Sequence, residues 1–461
     1  MFDAATRLSR GRVSHSSVES GRGLVEDLGR PYRDRQRRWQ QIPAPAALIY
    51  FGCEEYHLAV CGCTSGNLKD MALSRRRAIQ LTICGAAFGA AASARWWIKR
   101  LPWTAELSPS EHRAMQVVAE DFMRRFDIPG LSVALARDGA LVYDETFGVA
   151  NRENHDPFST SSLFRIASVS KPITSVGIFT LVEKGKIGLQ DSVFGPGAIL
   201  GTEYGNQSYK PHIREICVDH LLTHTAGGWP NDSSDPMFQF PQLSQADLIS
   251  WTLDNLPIEH TPGEDFAYSN FGYCVLGRII EKIAQVPYGE YIQQQVLRPC
   301  LIEDMRISGN TITERAPNEV TYYGQNGEDP YAMNVTRMDS HGGWLASAAD
   351  LVRFANNIGG VGNRPGLLSQ DSIASMTTPS PANPSSAEVK YARGWSVRNN
   401  GRGNWWHNGS LPGTTAILVR TATGFCWAAL TNTRRQPSDD INRALDQMVW
   451  DMARQVRAWK P

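Results

Sequence analysis

Ser168-Val169-Ser170-Lys171 places a hydroxyl three residues before an amine. A helix beginning at Ser168 would set both side chains on one face. A serine hydroxyl is a poor nucleophile until a base takes its proton, and an unprotonated lysine can be that base. The first turn of a helix also offers free backbone N–H groups and a positive dipole end, where an oxyanion would be held during acyl transfer. The competing reading is a Ser168 helix cap followed by a solvated Lys171. The rest of the chain decides between the two.

Acyl transfer needs a second group to carry the proton to the leaving group, and a second oxyanion donor. Tyr268-Ser269-Asn270 follows Thr261-Pro262-Gly263-Glu264 and opens the apolar stretch Phe271–Ala284, so Tyr268 and Asn270 stand at a defined loop-to-helix junction. Tyr204-Gly205-Asn206 has the same spacing but lies in a polar, glycine-rich loop, and Tyr268 is the better candidate. His407-Asn408-Gly409-Ser410 precedes a strand-like segment. Gly409 lets another backbone or a ligand approach closely. The N–H of Ser410 could then point at the carbonyl under attack. Taken alone, Asn408-Gly409 also reads as a simple turn.

These groups need elements to position them. Ser108 and Glu111 flank Pro109 as a helix start, with Met115, Val118, Phe122 and Phe126 at helical spacing. Leu131–Arg137 and Leu141–Asn151 read as a hairpin around Asp138-Gly139. A helix is expected from Ser168 to about Glu183, closed by Gly185. Between residues 190 and 390 short helices alternate with loops, most clearly over Asp247–Asn255, Phe271–Ala284 and Ala348–Asn357. Thr414–Arg420 and Phe425–Thr431 form a second hairpin. A last helix, capped by Ser438, carries Ile441, Leu445, Met448, Met452 and Val456 on one face. Strands at both ends with helices between them predict one α+β unit whose sheet joins the termini.

The 461 residues carry 46 Lys and Arg against 46 Asp and Glu, with no basic stripe, which argues against nucleic acid and anionic membranes as partners. No apolar run reaches the length of a membrane span. Cys53, Cys61, Cys63 and Cys84 lie early; Cys217, Cys274, Cys300 and Cys426 are scattered later and could form one or two bridges in an exported protein, though a buried free cysteine is the expectation for each. His220 and His224 stand four apart, but the glutamate of an H-E-x-x-H zinc site is missing. No G-x-S-x-G nucleophile elbow occurs. Residues 71–94 combine Ser74-Arg75-Arg76-Arg77, a modest apolar run and Ala92-Ser93-Ala94, the pattern of a twin-arginine export signal. The expected organisation is therefore 1–70 unassigned and upstream of the true start at Met71, a signal at 71–94, a linker at 95–107 and one domain at 108–461. That makes the protein exported, periplasmic or secreted.

The order Ser-x-x-Lys, Tyr-x-Asn, His-x-Gly resembles the penicillin-recognising serine hydrolases: class C β-lactamases, D-Ala-D-Ala carboxypeptidases and their esterase and D-aminopeptidase relatives. His220-Leu221-Leu222-Thr223-His224-Thr225-Ala226-Gly227, Gly342-Gly343-Trp344-Leu345-Ala346-Ser347 and the hairpin leading into Phe164-Arg165-Ile166-Ala167 look like further landmarks. The resemblance covers about residues 108–455. It implies a five-stranded antiparallel sheet flanked by the terminal helices, beside a mostly helical region, with the site between them. Ser168 would be acylated, with Lys171 as base at a pKa well below the free value of about 10.4. Tyr268 would relay the proton, and Asn270 would bind the substrate amide or orient Lys171. Ser168 and Ser410 would form the oxyanion hole beside Gly409, and His407 would face the substrate from the strand edge. No metal or cofactor is implied; the partner is a small-molecule or peptide substrate. His407 stands where β-lactamases and carboxypeptidases usually carry a lysine, which shifts the expectation from β-lactams to esters, amides or small peptides. A slowly deacylating penicillin-binding or sensor module, or an acyltransferase, would use the same site.

Overall fold

The computed structural model describes residues 107–361, 364–398, 403–435 and 438–459. The expected signal, the segment before it, residues 95–106 of the linker and the four early cysteines lie outside the described residues.

Helix α1 (Pro109–Phe126) starts on a full capping box: Glu111 N–H donates to the Ser108 hydroxyl at 3.3 Å and Ser108 N–H to the Glu111 carboxylate at 3.0 Å. Strands β1 (Gly130–Arg137) and β2 (Ala140–Gly148) are joined by Asp138 and Gly139 at φ of 49° and 81°. Two left-handed residues in succession match the strands' twist. Short β3 (Phe164–Arg165) leads through a 3₁₀ turn, Ala167–Val169, into α2 (Ser170–Glu183). That helix closes as expected: Gly185 at φ 62° donates to the Val182 carbonyl and Lys186 to Leu181, so two orphan carbonyls are satisfied.

Helices α3 (Val218–Leu222), α4 (Gln245–Asn255), α5 (Asn270–Ala284) and α6 (Tyr288–Ile292) follow, then β4 (Arg306–Ile307), β5 (Trp344–Ala346), α7 (Ala348–Ile358) and α8 (Gln370–Thr377). The chain ends with β6 (Val389–Tyr391), β7 (Ser396–Arg398), β8 (Trp405–Leu411), β9 (Thr414–Arg420), β10 (Phe425–Thr431) and α9 (Ser438–Arg454). The main sheet is antiparallel in the order β2-β1-β10-β9-β8-β7-β6, so the first hairpin pairs directly with the last strand, from Leu131↔Thr431 to Arg137↔Phe425. The expected five strands are its core. Two more, β7 and β6, extend it beyond β8 to make seven. At three residues each, they are too short to show an alternation in sequence.

Side chains alternate across this sheet with a clear division of size. Leu131, Val133, Leu135, Ile417, Val419, Phe425 and Trp427 point at α1 and α9 and pack on Met115, Phe122, Leu445 and Met448. Ala134, Ala136, Ala416 and Ala428 face the other way, where α7 crosses β1, β9 and β10. Small residues there let the helix lie close to the sheet. β3, β5 and β4 form a second small sheet beneath the nucleophile segment. The four later cysteines are buried and free, and no described helix is long and apolar enough to cross a membrane.

Candidate active site

Ser168 sits where four constraints meet. Its lead-in strand is pinned by β5, with Ile166 N–H donating to the Trp344 carbonyl at 3.0 Å. Arg165 is fully buried; its guanidinium donates to Ser308 Oγ and to the carbonyls of Pro330 and Gly309 and lies over the Tyr322 ring. Ala167 adopts φ 48°, a left-handed conformation that costs a non-glycine residue about 1 kcal/mol. Gly409 of β8 lies so close that a Cβ there would collide with the Ile166 carbonyl oxygen. The α-helix proper therefore starts at Ser170, after a 3₁₀ turn that holds Ser168, and not at Ser168 itself.

The three-residue spacing survives that change. Lys171 Nζ lies 3.1 Å from Ser168 Oγ, 2.6 Å from Asn270 Oδ1 and 3.1 Å from the His341 carbonyl oxygen. Of these partners, only the serine hydroxyl carries a proton of its own; the amide and peptide oxygens only accept. A neutral lysine keeps its two N–H groups on those oxygens, which leaves its lone pair aimed at Ser168. The solvated reading of Lys171 is excluded, since the side chain is fully buried. Burial brings its pKa down from 10.5 to about 7, with the Asp235 carboxylate pulling the other way. His224, His341 and His407 surround it as neutral rings, because burial and the lysine's own charge push each pKa down, His407 to about 3.

Tyr268 and Asn270 arrive at the head of α5. Ser269 caps that helix by accepting from Gly272 N–H at 3.1 Å, and its own N–H donates to His224 Nδ1 at 3.0 Å. The Tyr268 ring lies 4.2 Å from the His224 ring and 4.7 Å from Lys171 Nζ. Burial raises the pKa of Tyr268, so it holds its proton at neutral pH. Asn270 turns its amide N–H groups to Asp235 Oδ2 at 2.7 Å and Asn231 Oδ1 at 2.9 Å. Tyr204 is elsewhere, its carbonyl accepting from Tyr209 and its neighbour Asn206 bound to Asp254.

On the sheet side, β8 and β9 are joined by a two-residue turn, Pro412-Gly413, that closes on the pair Leu411↔Thr414. Pairing through that turn sends the N–H of Leu411 and then Gly409 toward β9, and the N–H of Ser410 toward the open edge. His407 departs from expectation. Instead of facing a substrate, its ring turns inward: Nδ1 donates to the Asn408 carbonyl at 2.7 Å and Nε2 accepts from the Tyr391 hydroxyl at 2.9 Å. A buried ring with both nitrogens used has no atom left for a ligand. His220 and His224 also serve the backbone separately, accepting from Cys217 N–H and Ser269 N–H.

Ser168, Tyr268 and Ser410 are partly exposed, whereas Lys171, Asn270, His407 and Asp235 are sealed. Such an arrangement can present a hydroxyl to a substrate while keeping its base out of water. Sequence reasoning missed Asp235, Asn231 and Tyr391. Asp235 precedes Pro236 and caps a single 3₁₀ turn, Pro236–Phe238, a signal indistinguishable from an ordinary loop.

Residues 116–448 match the Beta-lactamase family. The chain belongs to that family. It is a serine hydrolase of the family's general kind. Penicillin-binding protein 4* of Bacillus subtilis (strain 168) is 24% identical over 338 residues, 68% of this chain and 70% of the relative. Among solved structures, the octameric penicillin-binding protein homologue from Pyrococcus abyssi superimposes with a TM-score of 0.61 at 24% identity, covering 74% of this chain and 78% of that one. The D-amino acid amidase from Ochrobactrum anthropi SV3 gives a TM-score of 0.61 at 21% identity, covering 75% of this chain and 99% of the amidase. At these identities the structural likeness speaks for the fold.

Proposed function

We propose that this hydrolase cleaves an ester, amide or small peptide bond through an acyl-enzyme on Ser168. The observation that carries the reading is the sealed Lys171 amine 3.1 Å from Ser168 Oγ, with a pKa near 7 and its other partners limited to acceptors. The Ser168 proton passes to Lys171 Nζ as the Oγ–C bond forms. The carbonyl electron pair moves onto oxygen, between the N–H groups of Ser168 and Ser410. As the tetrahedral centre collapses, the bond to the leaving group breaks and that group takes the proton through the Tyr268 hydroxyl. Water repeats the sequence on the acyl-enzyme, releasing the acid and returning the proton to Ser168. Asn270 orients Lys171 throughout.

The neutral, inward-facing His407 supports esters and amides over β-lactams, because no charged nitrogen waits at that strand position for a substrate carboxylate. The D-amino acid amidase likeness points the same way. Residues 71–94 direct export in this reading, and the mature chain begins near residue 95.

Intact mass of the chain after a fluorophosphonate, beside Ser168→Ala, tests the reading, with p-nitrophenyl acetate and butyrate turnover followed in parallel. A single adduct lost in the variant together with turnover is expected. Absence of any adduct on a folded parent would remove Ser168 as nucleophile. An adduct without turnover would replace the hydrolase with the slowly deacylating module. N-terminal sequencing after expression in a bacterium with a twin-arginine pathway tests export: a mature chain starting near residue 2 contradicts it.

A further inference from the structure

Resting on the serine–lysine reading above, the structure assigns Asp235 a positioning role: through Asn270 it fixes the direction in which Lys171 presents its lone pair to Ser168. Asp235 is fully buried, 0% exposed, and touches no reacting atom. Its Oδ1 accepts from Met237 N–H at 2.9 Å and its Oδ2 from Asn270 Nδ2 at 2.7 Å. A carboxylate can only accept, so Asn270 must offer its N–H groups on that side and its oxygen to Lys171. Turning the amide over would set oxygen against oxygen at Asp235 and N–H against N–H at Lys171. Asn231 cannot fix the amide by itself, since it is exposed and can turn its own side chain.

Asp235 also sets the charge that Lys171 feels. The other groups facing the lysine are the tyrosines 268 and 273, with rings 4.7 and 5.7 Å from Nζ, and the neutral rings of His224, His341 and His407. The charge of Arg337 also acts on His341. Asp235 is thus the one anion acting on the lysine among these groups.

The test is a polarity swap. Asp235→Asn keeps shape but must set its N–H₂ against either the Asn270 N–H₂ or the Met237 N–H, because both carboxylate oxygens accept in the parent. It should lower acylation kcat/KM roughly 10- to 100-fold, the usual loss for a removed orienting partner. The acidic limb of the pH profile should move to lower pH, since the lysine loses its anion. Asp235→Asn combined with Asn270→Asp restores donor-to-acceptor order with the carboxylate now on Lys171. It should recover most of the lost rate at high pH, with the acidic limb displaced above the parent's. A purely structural Asp235 would lower the melting temperature without moving the limb, and the swap would be no better than the single variant. Either that result, or a single variant within twofold of the parent with an unmoved limb, overturns the assignment. Fluorophosphonate labelling of the parent is measured alongside. If the parent labels at Ser168 and the swap fails, only the role of Asp235 falls; if the parent does not label, the serine–lysine reading falls first.

Discussion

The two faces of the main sheet are built from the same strands but do opposite things. Toward α1 and α9 the sheet presents large apolar side chains; Trp427, for one, meets Trp450 edge-on at 4.6 Å. Toward the helical region it presents alanines and the buried His407, opposite a sealed lysine, a sealed aspartate and two imidazoles, His224 and His341, whose Nε2 atoms have no hydrogen-bond partner among the described residues. Ala167 adds a strained backbone on the same side. One face supplies stability and the other spends it on chemistry, so the two properties should separate under mutation.

The largest separation is expected at Lys171. Lys171→Met should lower acylation by roughly 10³-fold, as for loss of a general base. It should also stabilise the fold near pH 7 by roughly 1–2 kcal/mol, since burial of an amine is removed, partly offset by two carbonyl acceptors left without donors. The sign with pH follows from the depressed pKa. Between pH 7 and 10.5 the unfolded chain holds a proton on Lys171 that the folded chain does not, so the parent gains stability as pH rises through that window. The advantage of the Met variant should shrink over the same range in urea titrations; a constant difference would show that Lys171 is not held neutral.

Trp427→Ala probes the opposite face. It should cost about 3–5 kcal/mol of stability and leave kcat/KM of the folded fraction within a few-fold of the parent. A large loss of activity in protein verified as folded would tie the two faces together and break the contrast.

Gly409→Ala lies at the seam between them. Its Cβ would push β8 away from the Ile166 carbonyl and displace the Ser410 N–H. The expected effect is on the order of 10²-fold in kcat with KM nearly unchanged, as for one misplaced oxyanion donor. An equal rise in KM instead would assign Gly409 to substrate binding.

The same contrast explains what the amino-acid sequence reveals. The stability face is periodic and local: the Ser108–Glu111 capping box, the Asp138-Gly139 turn and the apolar positions Ile441, Leu445 and Met448 all stand within a few residues of their consequences. Ser168 and Lys171 were legible because one turn of chain connects them. Asp235 reaches the site from 35 residues before Asn270, across helix α4 and the loops on either side of it, and only the tertiary fold brings them together. The residues around His407 show only a strand-like segment after them, not the strand Trp405–Leu411 that carries it, and its inward turn depends on Tyr391, which lies on β6, a strand too short to announce itself. The strained Ala167 has no local signal either, because its conformation is set by β5 and by the approach of Gly409.

The central claim is that a neutral Lys171 activates Ser168. The most direct measurement is the rate of Ser168 acylation by a fluorophosphonate between pH 5 and pH 9, followed by intact mass. A single sigmoid rising with pH, with its midpoint close to 7 and absent from Lys171→Met, is the predicted result. A rate independent of pH, or a midpoint near the free lysine value, would show that Lys171 is not the base.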